Sequence, residues 1–347
     1  MKRHLLFLAA LLIGNLAASA QKKFSVYAVG FYNQENLFDT CHDEGKKDYE
    51  YLPNKGWNGM KYTNKLRNMS KALADMGTDV LPNVGCAFIG LSEVENHKVL
   101  DALVDQAPLK ARNMKYVHIE GPDRRGIDCA LLYNPSLFSV KNVKLVPYVQ
   151  ELAKDSAFFT RGFLTVRGEM AGDDVAVIVC HRPSRFSGPF YRESAARQVK
   201  VIKDSLLNVN QEMKIFVMGD MNDDPVNKSM HVYLQAKPEI SQVGAGDMYN
   251  PWYNVLAKEG KGTLFYSGNW NLFDQIVITP NLLNKDAKKK DYSSLKYWKS
   301  HIFRRDYLIQ QEGQYKGAPL RTTAGGRWLN GYSDHLPVVM YLVKEKK

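Results

Sequence analysis

The sequence contains few cysteines and, beyond its first residues, no long apolar segment. Four of its 347 residues are cysteines, Cys41, Cys86, Cys129 and Cys180, and none belongs to a Cys-x-x-Cys pair, which argues against a thiolate zinc site. In an oxidising compartment the four could pair in any of three ways. Cys129 and Cys180 lie within predicted strands, where a free cysteine packs as a small hydrophobe, so we expect free thiols. No run of 18 apolar residues follows position 20, and we expect no stable membrane insertion.

The N-terminus has the pattern of a targeting segment. Lys2 and Arg3 supply positive charge, residues 5–13 are almost wholly apolar, and residues 18–20 match a small-x-small cleavage site. We therefore predict a signal peptide over residues 1–20 and a secreted or periplasmic mature protein. The rest of the chain has no Pro/Ser-rich linker, low-complexity tract or internal repeat. We predict one domain over residues 21–347.

Positive charge exceeds negative charge, and most of the excess is C-terminal. The formal net charge is +11, and residues 285–347 contain 14 lysines and arginines against 6 aspartates and glutamates. This excess could be an ordinary solvated surface. It could also attract an anionic substrate, such as a nucleic acid or an acidic lipid head group. Charge alone does not choose between the two.

Short apolar runs dominate the pattern and predict more strands than helices. Strands are predicted over residues 24–32, 87–91, 127–133, 175–180, 215–218, 273–278 and 336–343, and helices over 63–76 and 193–207. Scattered helices among many strands are typical of an α+β sandwich of two packed sheets. The runs alternate little between apolar and polar residues, so we expect both faces of the sheets to be buried.

Polar residues follow or precede these strands repeatedly. Asp220 and Asn222 come directly after one apolar run, and Asp334 and His335 come directly before another. Carboxylates, amides and a histidine at strand ends are the groups that hold a divalent cation and transfer protons. The pattern predicts a metal-dependent hydrolase of phosphate esters.

Seven motifs in order along the chain resemble those of the endonuclease/exonuclease/phosphatase superfamily. They are Tyr32–Phe38, Leu91–Val94, Arg125–Tyr133, His181–Arg185, Gly219–Asn222, Phe273–Ile276 and Ser333–His335. The superfamily includes deoxyribonuclease I, exonuclease III-type nucleases, sphingomyelinases and inositol polyphosphate 5-phosphatases. The resemblance implies a four-layer αββα sandwich of two mixed or antiparallel sheets flanked by helices.

The resemblance also implies a site for Mg²⁺, or Mn²⁺, with Glu93 as its principal ligand. Magnesium takes one or two carboxylates and keeps several waters. Glu93 is preferred to Glu95 because Glu93 lies within the motif Leu91–Val94 that carries the resemblance. Asn33, Glu35 and Asp334 are the further candidates around the metal.

The remaining chemistry is assigned to five residues. The resemblance makes His335 the general base and Asp274 its orienting partner. Asp220 would orient or deprotonate water, and Asn222, which would point the same way on an extended chain, would donate to a phosphate oxygen. His181 would assist the leaving group or the pentacovalent phosphate. Exonuclease III-type members have a tyrosine there, so this histidine places the chain nearer deoxyribonuclease I and the sphingomyelinases.

Substrate-binding candidates flank these motifs. Arg125 and Asp128 could face the substrate or form a salt bridge that supports the fold. Ser184 and Arg185 could bind phosphate or brace the following helix. The long connection over residues 280–331 carries basic charge towards Asp334, and a connection of that length is usually functional or disordered. Arg321, Arg327 and Tyr332 are therefore candidates for the rim of the site.

We expect a monomeric phosphodiesterase, most simply an endonuclease that attacks nucleic acid with metal- and histidine-assisted water. The alternative within the same fold is a phosphatase or a sphingomyelinase-like enzyme acting on inositol phosphates or phospholipids. A third hypothesis is a protein that binds polyanions without catalysis. The presence of every expected acidic and histidine position argues against the third.

Overall fold

The computed structural model describes residues 23–149, 151, 158–286 and 288–346. The predicted signal peptide lies outside the described residues. The strands are β1 (Phe24–Leu37), β2 (Phe88–Val94), β3 (Lys115–His118), β4 (Asp128–Tyr133), β5 (Phe138–Val146), β6 (Phe163–Met170), β7 (Asp173–His181), β8 (Lys214–Asp220), β9 (Ala236–Lys237), β10 (Met248–Tyr249), β11 (Leu264–Tyr266), β12 (Asn269–Asn271), β13 (Asp274–Ile278), β14 (Lys296–Ile302), β15 (Thr323–Ala324), β16 (Arg327–Trp328) and β17 (Val338–Glu345). The α-helices are α1 (Gly59–Asp75), α2 (His97–Val104), α3 (Ala107–Ala111), α4 (Pro189–Val209) and α5 (Trp252–Ala257).

Two large sheets pack face to face. The first has six strands in the order β14-β17-β1-β2-β4-β3, and the second has seven in the order β5-β6-β7-β8-β13-β10-β9. Aromatic rings fill the space between them: the Phe88 ring lies 5.1 Å from Phe138 and 5.6 Å from Phe216. A Cβ on Gly90 would lie 2.7 Å from the sulfur of Met218 in the facing sheet. A larger residue at this position would have to displace the Met218 side chain, so glycine favours the close approach of the two sheets.

Helices cover the outer face of each sheet. Leu66, Met69 and Leu73 of α1 share a buried cluster with first-sheet residues, together with parts of α2 and α3. Ala196 and Val199 of α4 form a second cluster on the outer face of the other sheet. The αββα sandwich expected from the sequence is confirmed. Apolar residues at positions i, i+3 and i+7 give each helix one buried face, and the other face carries the charge.

Strand direction brings the polar motifs to one edge. β1 is parallel to β2, and β7 is parallel to β8, so these four strands end on one side of the sandwich. β17 runs antiparallel to β1, and β13 antiparallel to β8, so both begin on that same side. A hydrogen bond of 3.1 Å from Asn33 Nδ2 to Asp220 Oδ2 joins the two sheets there.

The segment predicted as a long connection contains secondary structure. β14 pairs with β17 at the edge of the first sheet, and β15 and β16 form a small hairpin. Residues 280–331 connect β13 to β17 as expected, but the connection is partly made of strands. β14 is an edge strand whose residues after Lys296 are all at least partly exposed, and its mixed sequence KYWKSHI lacks the apolar run of a central strand.

The basic excess is divided between two ends of the molecule. The backbone amide of Glu345 donates to Tyr292 O, which places Lys288–Lys290 near the C-terminal end of β17. The catalytic motifs lie at the opposite end of that strand. Arg304, Lys316 and Arg321 belong to the segments near the motifs, so only part of the charge faces them.

All four cysteines are free, three of them buried and Cys41 exposed. Within the described part of the chain, no helix combines the length and apolarity needed to cross a membrane.

Candidate active site

A buried histidine–aspartate pair lies at the centre of this edge. His335 Nδ1 is 2.7 Å from Asp274 Oδ2, and Asp274 is fully buried at the start of β13. Burial by itself lowers the pKa of His335. The carboxylates of Asp274, Asp220 and Asp334 oppose it and raise the pKa well above its ordinary value. The pair therefore holds a proton on the imidazole and leaves Nε2 facing the cleft.

Asp220 connects the two sheets beneath that cleft. Its Oδ2 lies 3.9 Å from His335 Nε2 and 3.6 Å from His181 Nε2. Burial raises the pKa of Asp220 to about 6, with Asp274 adding to the rise and His335 opposing it. The group can therefore exchange a proton near neutral pH.

Asn222 does not lie on an extended segment with Asp220. Its φ is +50°, and its backbone amide donates to Asp220 Oδ1 at 2.9 Å. Its side-chain amide donates to the Arg182 carbonyl at 2.9 Å. The expectation that both side chains point the same way by strand alternation was wrong, because the chain turns directly after β8. Asn222 stabilises this turn.

His181 ends β7 opposite Asp220 and is almost fully buried. Burial, helped by the cations Arg161 and Arg125, lowers its pKa well below the ordinary value, so the ring is neutral. Its Nε2 lies 3.7 Å from Glu93 Oε1. A neutral imidazole here can donate one hydrogen bond to a phosphate oxygen without adding charge.

Glu93 projects into the cleft from an irregular point of β2. Its φ is +60°, and the pairing of β2 with β4 shifts between Ser92 and Val94. The Asn36 backbone amide donates to Glu93 Oε2 at 2.9 Å, while Oε1 faces His181. Glu95 is buried elsewhere and accepts from the Asp39 amide at 2.7 Å.

Glu35 and Asp334 share one arginine. Arg321 Nε lies 3.0 Å from Glu35 Oε1, and Nη2 lies 3.2 Å from Asp334 Oδ2. The Thr322 amide donates to the other Glu35 oxygen at 2.6 Å. Burial and the Asp334 charge raise the pKa of Glu35, and Lys65 and Arg321 oppose that rise. Arg321 is thus part of the central charge network and not of a peripheral rim.

Two residues of α1 that the sequence pattern did not single out hold this network in place. The fully buried Lys65 places Nζ 2.5 Å from both Thr322 Oγ1 and the Tyr332 carbonyl oxygen. Asn68 Nδ2 donates to the Asn330 and Gly331 carbonyls at 2.9 and 3.0 Å. The only sequence signal is a polar pair at i, i+3 beside an apolar face, which solvated helix faces also show.

The remaining substrate candidates are dispersed. Arg125 lines a cavity of about 460 Å³ with Tyr49 and Tyr51 beside the cleft. Asp128 is buried and accepts from the Gly121 amide at 3.0 Å, with His118 Nε2 at 3.1 Å, so its position is that of a fold-supporting residue.

The candidates Ser184 and Arg185 both lie at the surface. Ser184 is exposed, and its carbonyl accepts from Arg192. Arg185 is half-exposed, donates to Asp224 at 2.8 Å and stacks over Phe273.

The predicted C-terminal rim is only partly exposed. Arg327 lies in the exposed hairpin of β15 and β16. Tyr332 is 7% exposed and packs against Tyr307 in the helix-side cluster. The expectation that Tyr332 belongs to the rim was wrong. An aromatic residue beside a catalytic motif gives no sequence signal that separates core from rim.

The donor set fits a lightly held magnesium ion. In the described ranges, no three or more histidine, cysteine, aspartate or glutamate side chains form a ready-made metal cage. Magnesium does not require one, because it binds through one or two carboxylates and retains waters. Glu93 presents an oxygen to the cleft, and Asp334 is a quarter exposed beside it. Glu35 fits less well because both its oxygens already accept hydrogen bonds.

A family model described as the endonuclease/exonuclease/phosphatase family matches residues 28–344. The chain belongs to this family. Its members hydrolyse phosphate esters, so the chain is a phosphoester hydrolase, and the resemblance seen in the seven motifs is confirmed. No curated protein matches the chain.

Several solved structures of this family share the fold. An endonuclease/exonuclease/phosphatase family protein from Bacteroides thetaiotaomicron is 14% identical, with TM-score 0.55, over 94% of this chain and 100% of that one. A mannosyl-6-phosphatase from the same organism is 14% identical, with TM-score 0.53, over 91% and 99%. TDP2 of D. rerio, complexed with single-strand DNA product, is 11% identical, with TM-score 0.53, over 92% and 99%.

Proposed function

We propose that this protein is an exported, monomeric, Mg²⁺- or Mn²⁺-dependent phosphodiesterase that hydrolyses nucleic acid. The observation that carries the proposal is the convergence of the His335–Asp274 pair, Asp220 and His181 beside Glu93, at one cleft between two sheets. This arrangement contains a proton acceptor, a phosphate-oxygen donor and a hard oxygen ligand. Those are the parts that hydrolysis of a phosphodiester needs.

The protein groups divide the reaction between them. Asp274 fixes the ring of His335 so that Nε2 points to the cleft. When the ring is neutral and its one proton is on Nδ1, Nε2 takes a proton from the attacking water. Asp220, hydrogen-bonded to Asn33, lies 3.9 Å from that nitrogen and can orient the same water. His181 donates to a phosphoryl oxygen as negative charge develops.

Glu93 and Asp334 would hold the metal, with Asn33 nearby. When bound, a divalent cation withdraws charge from the phosphoryl oxygens and lowers the barrier to attack. The Asn36 amide keeps Glu93 oriented towards the cleft. Arg321 restrains Asp334 and balances the two acids Glu35 and Asp334, which would otherwise repel each other.

Assays with alternative substrates distinguish a nuclease from an enzyme that hydrolyses other phosphate esters. TDP2 supports a nucleic-acid substrate, and the mannosyl-6-phosphatase supports the alternative of a phosphatase at similar structural distance. Purified protein with Mg²⁺ in excess, as a weakly held ion requires, should cleave single-stranded DNA or RNA. His335→Ala protein is the background control.

Cleavage of sphingomyelin, an inositol phosphate or a sugar phosphate, with no action on DNA or RNA, would overturn the nuclease proposal and support the alternative. Export and monomeric state are tested separately. The N-terminus of protein recovered from outside the cytoplasm should be Gln21, and light scattering should give the mass of one chain.

A further inference from the structure

A cleft continues from the catalytic centre along one side. Arg321 and Asp334 form its inner end, and the β11–β12 turn and the loop around Tyr315 form its walls. Its volume is about 800 Å³. This is larger than the site needed for a single phosphate group and comparable to cavities that enclose a ligand of several ring systems.

A second cavity of about 480 Å³ adjoins the first and shares Phe265, Gln314, Tyr315 and Ala318 with it. Its inner surface includes Trp270 and other apolar groups, and Phe265 packs against Trp270 at 5.2 Å between ring centroids. The two cavities form a continuous flank of the site, which we call the aromatic groove, defined by Phe265, Tyr266, Tyr315, Arg304 and Lys316.

The groove presents aromatic faces to solvent. Tyr266 is 71% exposed and Tyr315 is 52% exposed. Exposed tyrosines facing each other across a cleft at an active site offer large rigid surfaces at low entropic cost. Bases of any sequence can stack on such surfaces, and each stacked base contributes about 1–3 kcal/mol.

The outer rim carries positive charge. Arg304 and Lys316 are exposed there, and Lys261 lies opposite, paired with Glu259 at 2.8 Å. Arg304 donates one hydrogen bond to the Gly317 carbonyl at 2.9 Å, which orders the loop that carries Tyr315. Cations beside aromatic faces match the alternation of phosphate and base along a nucleic acid strand.

We propose that the aromatic groove binds the single strand that continues from the scissile phosphate, with bases against Tyr266 and Tyr315 and phosphates facing Arg304 and Lys316. This proposal rests on the proposed nuclease function and specifies its substrate as single-stranded nucleic acid. A duplex keeps its bases stacked inside and could not present them to the tyrosines. A phosphate monoester of one sugar would leave the outer groove empty.

The test compares a long and a short substrate on one enzyme. Tyr266→Ala/Tyr315→Ala should raise KM for a single-stranded 12-mer by about 30-fold or more, since two stacked bases contribute at least about 2 kcal/mol and 1.4 kcal/mol corresponds to a factor of ten. Hydrolysis of bis-p-nitrophenyl phosphate, which is too small to enter the groove, should stay within about twofold. Phe24→Ala, an exposed aromatic at the far end of β1, is the matched control.

The charge component has its own variant. Arg304→Gln/Lys316→Ala retains a donor for Gly317 and removes two cations. The slope of log K for the 12-mer against log salt concentration should decrease in magnitude by about 1.4, because each phosphate contact on a single strand contributes roughly 0.7 to it. Lys288→Ala/Lys290→Ala removes the same charge at the opposite end of the molecule and should leave the slope unchanged.

Failures of the two proposals are distinguishable. Native enzyme that hydrolyses the small diester but neither binds nor cleaves oligonucleotides would overturn the nuclease function. Native enzyme that cleaves the 12-mer, with KM and salt slope unchanged in the groove variants, would overturn the groove alone. Equal losses on both substrates would place the tyrosines in the catalytic centre and would also overturn it. So would preferential cleavage of a 12-base-pair duplex.

Discussion

Replacing Asp274 by asparagine tests the centre of the proposed mechanism. The change is nearly isosteric and removes one buried charge 2.7 Å from His335 Nδ1. A hydrogen bond to a charged group contributes about 1.5–3 kcal/mol, or roughly 10- to 150-fold. Asparagine can also favour the wrong imidazole tautomer, which costs up to about 10⁴ in a comparable histidine–aspartate pair. We expect kcat to fall about 10²- to 10⁴-fold.

The same substitution should change the protonation of His335. The Asp274 carboxylate is the largest of the groups that raise the pKa of this imidazole, and burial lowers it. Asp274→Asn should therefore lower the pKa of His335. Imidazole proton resonances followed by NMR against pH, in chelator, give this value directly. A loss of activity with an unchanged pKa would show that the variant acts through misfolding and not through the pair.

Two comparisons decide the result. Asp48→Asn changes another buried aspartate, which lies 2.5 Å from His42 Nδ1 outside the catalytic centre, and should leave kcat within about twofold. The double variant Asp274→Asn/His335→Ala should be no slower than His335→Ala, since residues that act as a unit are non-additive. Losses that multiply would refute the coupled pair. Assays with bis-p-nitrophenyl phosphate keep substrate binding out of the comparison.

Three further predictions concern the surroundings of the pair. Mg²⁺ at 100 times Kd should stabilise native protein by about 2.7 kcal/mol, measured as a rise in Tm. Glu93→Gln should abolish both turnover and this rise, and a retained rise would refute Glu93 as the ligand. Lys65→Met should lower kcat about 10- to 100-fold through displacement of the Arg321 loop. Lys203 is another fully buried lysine that donates to a loop carbonyl, so Lys203→Met should lower the stability of the fold without lowering kcat. Equal kcat values for the Lys65→Met and Lys203→Met proteins would refute a positioning role of Lys65. Burial and neighbouring acids raise the pKa of Glu95 to about 8, so native stability should fall as pH rises from about 4.5 through 8. Glu95→Gln should remove up to about 5 kcal/mol of this pH-dependent loss of stability, measured by urea unfolding at several pH values. The same pH dependence in both proteins would contradict the prediction.

The candidate catalytic residues could be selected from the sequence because their signals are local. Asp220 directly follows an apolar run, and His335 directly precedes another, so the strand ends are visible in the sequence itself. The αββα arrangement followed from the family motifs and is confirmed. The positions of backbone irregularity were not predictable in the same way. Asn222 and Glu93 both have positive φ, where the alternation of an extended strand does not apply.

Long-range contacts explain the other differences. Tyr332 was assigned to the rim and lies in the core, because its neighbours Tyr307 and Lys65 come from distant segments. Arg321 was also assigned to the rim, and it joins Glu35 to Asp334, 286 residues and 13 residues away along the chain. No local sequence pattern distinguishes a side chain that has such distant partners from one that faces solvent.

The sequence by itself determined which side chains are candidates for the chemistry and that they stand at strand ends. Apolar runs set the strands through the burial of their side chains, and the polar groups had to lie where each run stops. Only the tertiary structure decided which of these groups meet. The packing of the two sheets and α1 decides three features: the pairing of Asp274 with His335, the hydrogen bond from Lys65 to Thr322, and the aromatic groove beside Asp334. That packing is a property of the whole buried surface, and no short segment of the chain contains it.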